Sequence, residues 1–238
     1  VSAGDYSQLY LTNVNIIDNE GRYGAGVVIA EHAEAVIDSC VIAGNRLNGE
    51  MKSSERSIAG GGIYCAGTLE LFGMVNVTGN RAQDAQNNLW LDEAGSLTIG
   101  TSGLDAQSHI GVSGSEGQTL LTGYADDFSA CFTSDNQTLA VAAAQKNGFT
   151  SLSLEPAVYT LTLDLGDAGQ EPVTLEPEQG QTLEDLNVQD PVLAGSTFAG
   201  WYLAGETPAA APSDAGYNAL CPLVAGGYGR RHYHRTDI

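Results

Sequence analysis

The chain has 238 residues, enough for one medium-sized domain and one small domain. It contains 30 glycines and only 16% charged residues, which is typical of a turn-rich all-β protein and unlike a helical one. The formal charge of −20 excludes nucleic acids and anionic membranes as partners, because both would be repelled. Such acidity suits an extracellular protein that carboxylates keep soluble. Most carboxylates are interpreted as solvated surface. No cofactor is expected, although some carboxylates could hold calcium.

Three segments with the same pattern predict a repeat. Each has an apolar residue, a two-residue step and an asparagine, and they end at Asn19, Asn45 and Asn80. An asparagine at a fixed turn position tolerates the left-handed backbone of tight turns, and its amide can donate and accept along a stack. We therefore interpret these three asparagines as a structural ladder. Contact with a ligand is the alternative.

Short apolar runs recur between these asparagines. The first set is Val27–Ile29, Ile63–Cys65 and Leu89–Leu91, with Ile110–Val112 as a weaker fourth member. A second set follows after small-residue turns: Ala35–Ile37, Thr68–Leu71 and Ser96–Ile99. Strands this short cannot form useful hairpins. Each can instead pair with the equivalent strand one turn further along a solenoid.

The spacing between the asparagines is 26 residues and then 35. The longer interval contains the polar run Asn48–Ser57, which we predict to be a loop inserted into one repeat. Gly60, Gly61 and Gly62 follow it directly. They precede a strand and therefore do not predict a phosphate-binding loop, which would precede a helix.

The residues from Gly60 to Asn80 combine Gly-Gly-Gly-Ile-Tyr, Thr-Leu-x-Leu and Gly-Asn segments. This combination resembles the repeat of large bacterial cell-surface adhesin-like proteins, which share the right-handed parallel β-helix of pectate-lyase-like proteins. The resemblance covers roughly residues 8 to 155 and implies an all-β solenoid of that kind. It does not specify a function, because the same scaffold carries lyases, hydrolases and non-catalytic stalks.

After the repeats, a stretch rich in glycine, serine and acidic residues runs from Gly114 to Asp127, and strand patterns then resume. They are Ala130–Thr133, Thr138–Val141 and Thr150–Leu154, interpreted as a closing coil or an end-cap. Between the last two, a turn at residues 146–148 is favoured over a helical turn from Ala140 to Lys146.

A domain boundary is predicted at Glu155-Pro156, beyond which Val158–Leu165 alternates like a longer strand of an open sheet. Gly195–Tyr202 resembles part of the Listeria–Bacteroides repeat, also called the internalin B-type repeat. Thr182-Leu183 and Pro191 match that family in order. The resemblance implies a small β-grasp-like module, which recurs in surface proteins as a spacer and weak interaction domain.

The resemblance fails at Ala219–Ala225, where the family has an aromatic strand and this chain has a proline. Three regions are predicted: a parallel β-helix at 1–155, a Listeria–Bacteroides-repeat-like module at 156–228, and a disordered or artefactual tail at 229–238. Two histidines in the tail could bind a metal weakly.

The four cysteines are Cys40, Cys65, Cys131 and Cys221, with no histidine at zinc spacing. The first two stand where the repeat has a small apolar residue. They are therefore predicted to be buried free thiols, with a disulfide between them as the alternative. No apolar run approaches the roughly 20 residues of a membrane span, and no signal peptide is visible. Because no cap over the first repeat is visible either, we expect a fragment of a longer exported protein at the bacterial cell surface or outside the cell.

No group of acidic residues predicts catalysis or a metal site. Asp126 and Asp127 are adjacent in a predicted loop, where their side chains should diverge, whereas glycoside hydrolysis needs two carboxylates facing one bond. Glu70 and Asp92 lie on strands or strand ends without a basic residue beside them.

The basic residues are similarly uninformative. Arg46 and Arg81 each follow a ladder asparagine, so they should lie near each other on one edge, as solvated arginines that pair with local carboxylates. His32 and His109 are isolated in the sequence, and no Ser/His/Asp arrangement is predicted.

Tyr64 and Trp90 occupy the middle position of equivalent triplets and should therefore share one outward face. They are the predicted ligand-binding pair, with Tyr10 and Tyr23 as further aromatic candidates and burial under a loop as the alternative. We predict a monomeric, non-catalytic surface or secreted protein, adhesin-like or purely structural, that binds glycans or surface proteins. The alternative is a polysaccharide lyase or glycoside hydrolase on the same scaffold.

Overall fold

The computed structural model describes residues 1–21, 24–48, 60–163, 172–177, 181 and 185–189. These residues are all-β without an α-helix, so the predicted class is confirmed. The chain divides into two compact units, Val1–Pro156 and Ala157–Ile238. Several predicted features lie outside the described residues: Tyr23, residues 49–57 of the loop, Leu165, Thr182-Leu183, Pro191, Gly195–Tyr202, Ala219–Ala225 with Cys221, and the tail 229–238.

The first unit begins with a succession of short strands in three repeats and part of a fourth. The first repeat contains β1 (Ser2–Ala3), β2 (Gln8–Thr12), β3 (Asn15–Ile17) and β4 (Glu20–Gly21). The second contains β5 (Val27–Ile29), β6 (Glu34–Asp38), β7 (Val41–Ala43) and β8 (Arg46–Leu47). The third contains β9 (Ile63–Cys65), β10 (Thr68–Gly73), β11 (Asn76–Thr78) and β12 (Arg81–Ala82). Then follow β13 (Ala85–Gln86), β14 (Leu89–Leu91), β15 (Ser96–Leu104) and β16 (His109–Ser113).

Each strand of one repeat pairs in parallel with the equivalent strand of the next. The sheet orders are β2-β6-β10-β15, β4-β8-β12 and, in a curled nine-stranded sheet, the two arms β1-β5-β9-β14 and β3-β7-β11. The register places apolar residues on apolar residues, as in the column Ile16, Ile42 and Val77, all buried. This stacking of equivalent aliphatic side chains forms the core and stabilises strands too short to persist alone.

Left-handed residues produce the corners between the strands. Asp18, Gly44 and Gly79 have φ of 54°, 66° and 66°, and each directly precedes a ladder asparagine. The asparagines themselves are not left-handed. The interpretation that these asparagines stand in the turn because they tolerate a left-handed backbone was therefore wrong. The residue before each asparagine adopts the left-handed conformation instead.

Strand β16 joins the two arms of the nine-stranded sheet. Ile110 pairs with Val77 in one arm, while Val112 pairs with Leu89 in the other. The prediction that Ile110–Val112 is a fourth copy of the Leu89–Leu91 triplet was therefore wrong in register. Only Val112, in the second half of the triplet, continues the arm that contains Leu89–Leu91, because β16 spans both arms.

An antiparallel sheet closes the core at the end of this unit. After β16 come β17 (Thr119–Tyr124), a 3-10 turn (Ser129–Cys131), β18 (Phe132–Ser134), β19 (Leu139–Lys146) and β20 (Phe149–Pro156). β18 pairs in parallel with β16, whereas β17, β20 and β19 form an antiparallel sheet. Leu152 and Leu154 of that sheet are buried in the same apolar cluster as the repeats. Of the two predicted alternatives, a closing coil and an end-cap, the end-cap therefore describes residues 138–154.

In the second unit, β21 (Leu161–Leu163) pairs antiparallel with β22 (Val173–Leu175). The predicted strand Val158–Leu165 was too long at its start, because residues 158–160 are not in a strand. Within the described residues the pairing runs from Leu161 with Leu175 to Leu163 with Val173.

Candidate ligand-binding face

Tyr64 and Trp90 lie side by side on the outward face of the arm β5-β9-β14. The strands β9 and β14 both show a buried, half-buried, buried pattern, and the half-buried residue is the aromatic one. The two residues are direct partners in the parallel register, with Val28 before Tyr64. Adjacent strands are about 4.8 Å apart, so the two side chains start within one strand spacing of each other.

Asp92 belongs to the same site. The Tyr64 hydroxyl donates a hydrogen bond to Oδ2 of Asp92, and Oδ1 accepts the Glu93 backbone N–H at 2.8 Å. The carboxylate is therefore held from two sides, next to the aromatic pair. From the sequence, Asp92 was predicted only to lie on a strand or strand end without a basic residue beside it. The available signal was its position directly after β14, two residues from Trp90, because β14 pairs with the strand that carries Tyr64.

Backbone segments approach this face from its N-terminal side. A Cβ placed on Gly60 (φ +80°) would lie 2.4 Å from Cβ of Tyr64, and one on Gly24 (φ +48°) would lie 1.9 Å from Cγ2 of Val28. The backbone before β5 and the backbone before β9 thus fold against the outward residue of the strand that follows, which is Val28 in β5 and Tyr64 in β9. Tyr64 and Trp90 are both half-buried, and Gln86, at the position before Trp90 that Gly60 has before Tyr64, is exposed.

The three predicted ladder residues lie in one chain of hydrogen bonds. Asn19 donates its backbone N–H and its Nδ2 to Oδ1 of Asn45, at 3.0 and 2.8 Å. Asn45 donates the same pair to Oδ1 of Asn80, again at 3.0 and 2.8 Å. Asn45 and Asn80 are fully buried, and their amides also donate to backbone carbonyls. These contacts satisfy groups inside the protein, which is the chemistry of a structural ladder.

Two further residues extend the ladder. Asn80 donates its backbone N–H and Nδ2 to Oδ1 of Asn88, at 2.8 and 3.0 Å. Asn88 in turn donates its N–H to Oδ2 of Asp135 at 2.7 Å and its Nδ2 to Oδ1 at 2.5 Å. Neither Asn88 nor Asp135 was predicted from the sequence to belong to the ladder. Asn88 follows Asn80 by only eight positions because β12 and β13 reverse the chain between them.

Glycines lie directly against the ladder. A Cβ on Gly62 would lie 2.7 Å from Nδ2 of Asn80, and one on Gly111 would lie 2.3 Å from Nδ2 of Asn88. A Cβ on Gly26 would lie 3.2 Å from Nδ2 of Asn45. The glycine run before β9 therefore serves close packing of the backbone on the amide stack.

The remaining acidic candidates are dispersed. Asp126 and Asp127 are exposed in a loop, and hydrogen bonds from the N–H and hydroxyl of Ser129 lower the pKa of Asp127. Asp38 and Asp105 line a surface hollow of about 340 Å³ between β10 and β15, whose lining contains no basic residue. Among the residues that the structure describes, no three metal-ligating side chains cluster.

The basic candidates lie on the protein surface. Arg46 and Arg81 are direct partners on β8 and β12, so the prediction that they lie near each other is confirmed. Both are exposed, and Arg81 binds the carbonyl of Asp84 at 3.1 Å instead of a carboxylate. His32 is not isolated in space: its ring stacks on Tyr6 at 4.9 Å between centroids, and Nδ1 lies 3.1 Å from Asp5.

Cys40, Cys65 and Cys131 are free and buried, so the prediction of buried thiols is confirmed for Cys40 and Cys65. Burial, together with the nearby Asp92 carboxylate, raises the pKa of the Cys65 thiol from 9.0 to about 12. Burial also raises the pKa of Cys131.

We predict that Cys65 resists alkylation by iodoacetamide at pH 8 in the folded protein and reacts only after unfolding, because the thiolate is the nucleophile. Between pH 9 and about pH 12 the unfolded chain releases this proton more readily than the folded chain, so stability should fall as pH rises through this window. Denaturation at several pH values should show a shallower fall in Cys65→Ala. An equal fall in both proteins would contradict the prediction.

Comparisons of this chain with protein-family models, with curated proteins and with solved structures find no significant match. The resemblances to adhesin-like repeats and to the Listeria–Bacteroides repeat therefore stay predictions. No helix in the described part of the chain is long and apolar enough to cross a bilayer.

Proposed function

We propose that residues 1–155 form a right-handed parallel β-helix that serves as a non-catalytic, adhesin-like module of a bacterial surface or secreted protein. In this proposal the outward face around Tyr64 and Trp90 binds glycans, or sugar-bearing surface proteins, and the chain acts as a monomer. A Listeria–Bacteroides-repeat-like module at 156–228 would serve as a spacer. The parallel pairing of equivalent strands at intervals of 26 residues or more supports the solenoid.

The observation that carries the glycan proposal is the pairing of Tyr64 with Trp90 beside a fixed carboxylate. Aromatic rings offer flat apolar surfaces to the C–H faces of sugars, and a carboxylate accepts hydrogen bonds from sugar hydroxyls. Asp92 is already oriented by the Tyr64 hydroxyl and by a backbone N–H. A few fixed polar groups beside an apolar surface are the usual composition of a small-molecule site.

The lining of the surface hollow favours binding over catalysis by a lyase. A glycoside hydrolase needs two carboxyl groups on opposite sides of one glycosidic bond, at about 5–10 Å. The hollow that holds Asp38 and Asp105 has two carboxylates but no basic side chain in its lining, which a lyase would need as a base. A lyase therefore has less support than the binding function, and a hydrolase would be recognised by turnover of a polysaccharide.

A glycan array followed by calorimetry on the best ligand tests this proposal. We expect Trp90→Ala to weaken binding at least about tenfold, equivalent to about 1.4 kcal/mol, because a stacking ring is lost. Tyr64→Phe keeps the ring but releases Asp92, so it should weaken binding less. Phe149→Ala removes an exposed aromatic from the β19–β20 hairpin and should leave affinity unchanged. Failure of every array ligand to bind, or turnover of a polysaccharide, would contradict the proposal.

A further inference from the structure

Two arginines lie side by side on the outward face of the sheet β4-β8-β12-β13. Arg46 and Arg81 are direct partners in the parallel register, and both are exposed. Leu47, which follows Arg46 in the same strand, is fully buried, so the arginine side chains lie on the face that points away from the core. Adjacent strands are about 4.8 Å apart, so the two cationic side chains start within one strand spacing of each other.

The protein does not neutralise this pair of charges. Within the described residues, the Arg46 guanidinium has no hydrogen bond or ion pair, and that of Arg81 has one hydrogen bond, from Nη1 to the carbonyl of Asp84 at 3.1 Å. Glu20 is the other register partner of Arg46, yet its carboxylate forms no ion pair with the guanidinium. Like charges directly opposite each other destabilise a sheet. The pair therefore has an energetic cost that no ion pair in the described part of the chain offsets.

The position of these arginines is unusual for a chain of net charge −20. The sequence has nine Lys and Arg residues against 29 Asp and Glu residues. Three of the nine lie in the described part of the chain, and two of these three are the register partners Arg46 and Arg81. The third, Lys146, is exposed on the β19–β20 hairpin. Two adjacent cations without a carboxylate between them form a local anion-binding surface on an otherwise acidic protein.

The arginine pair has the donors of an oxyanion site. A guanidinium presents five N–H donors in a planar fork that matches the two oxygens of a carboxylate, and Arg81 uses one of them within the protein. Gln86 is the partner of Arg81 on β13, and its exposed amide can donate as well. Thr78, exposed at the end of β11, adds a hydroxyl three residues before Arg81. These amide and hydroxyl neighbours suit a ligand that is rich in hydroxyl groups.

The geometry points to Arg46 and Arg81 as a binding site for one sugar-acid unit, such as a hexuronic acid, whose carboxylate binds both guanidinium groups. A group with a single negative charge is favoured over a phosphate dianion or a polyanion, because the rest of the protein repels each additional negative charge. This inference goes beyond the glycan proposal and does not depend on it, since it uses neither Tyr64, Trp90 nor Asp92.

Titration of the isotope-labelled full chain with methyl glucuronide, followed by amide chemical shifts, tests the inference. We expect saturable shifts at residues 46, 47, 81 and 82, and an affinity at least about fivefold higher than for the neutral methyl glucoside. Added salt should weaken the binding, because both guanidinium groups are exposed. Equal affinity for the charged and the neutral sugar, or shifts spread over the whole chain, would overturn the inference.

Four single substitutions locate the site. Arg46→Gln and Arg81→Gln should each weaken glucuronide binding at least about fivefold, because each removes one charged fork. Lys146→Gln removes an exposed charge from the β19–β20 hairpin and is the matched control, which should leave the affinity unchanged. Glu20→Gln should strengthen binding about twofold, because it removes a negative charge beside Arg46. An equal loss of affinity in Lys146→Gln would show general charge attraction and overturn the inference.

Other oxyanions define the competing results. Inorganic phosphate or a tetraglutamate peptide that binds more tightly than methyl glucuronide would overturn the assignment to a sugar acid. Trp90→Ala should leave the shifts at residues 46 and 81 unchanged, because Trp90 lies on the arm β5-β9-β14 and not on this sheet. Failure of this site and failure of the glycan proposal are therefore distinguishable.

Discussion

Changing Asn80 to alanine should lower the free energy of unfolding by about 3–5 kcal/mol. Its side chain accepts hydrogen bonds from the N–H and Nδ2 of Asn45 and donates to the carbonyl of Ile42 and to Oδ1 of Asn88, and the residue is fully buried. Alanine leaves these groups without a partner in a region that water does not reach. Each buried polar group left unsatisfied costs about 1–3 kcal/mol.

Asn19→Ala is the matched control for this experiment. Asn19 is exposed at the end of the ladder, and its backbone N–H would still donate to Asn45. Its loss should cost no more than about 1 kcal/mol. Denaturant unfolding followed by circular dichroism measures both variants. Similar losses for the two asparagines would show that the ladder contributes nothing beyond a surface hydrogen bond.

The second large effect is expected for Gly62→Ala. The added Cβ would lie 2.5 Å from the carbonyl oxygen of Asn88 and 2.7 Å from Nδ2 of Asn80. Both atoms belong to buried residues, so neither can move without breaking the ladder. Overpacking of a rigid core costs about 1–3 kcal/mol, and we expect a loss of about 3 kcal/mol because hydrogen bonds are displaced as well.

Two other glycines separate this packing effect from backbone strain. Gly4→Ala meets nothing within 4 Å, and its free energy of unfolding should change by less than about 0.5 kcal/mol. Gly148→Ala also meets nothing within 4 Å, but its φ of +81° disfavours a side chain, so it should lose about 1 kcal/mol. Thermal or denaturant unfolding measures all three. A Gly62 variant as stable as the Gly4 variant would refute the packing explanation.

Local sequence patterns determined much of the repeat region. The triplets Val27–Ile29, Ile63–Cys65 and Leu89–Leu91 coincide with β5, β9 and β14. Their two-residue alternation is a property of any strand, so the inward and outward faces could be assigned without coordinates. The side-by-side position of Tyr64 and Trp90 follows from the same pattern, because equivalent residues of stacked repeats are direct partners.

Other features required the tertiary structure. Asn88 enters the ladder because β12 and β13 reverse the chain, which places two asparagines eight residues apart at successive ladder positions. Asp135 ends the ladder from a loop 47 residues after Asn88. Neither contact has a fixed spacing that a periodic pattern could reveal.

The sequence by itself determined the class of fold, the strand faces and the three asparagines Asn19, Asn45 and Asn80, because these depend on a local residue pattern that recurs in each repeat. Only the tertiary structure decided where the repeat stops, with β16 spanning both arms and an antiparallel sheet closing the core. It also decided which polar groups meet, such as Tyr64 with Asp92. The physical reason is that a hydrogen bond between distant residues depends on the path of the chain between them, and loops of irregular length do not encode that path in any local pattern.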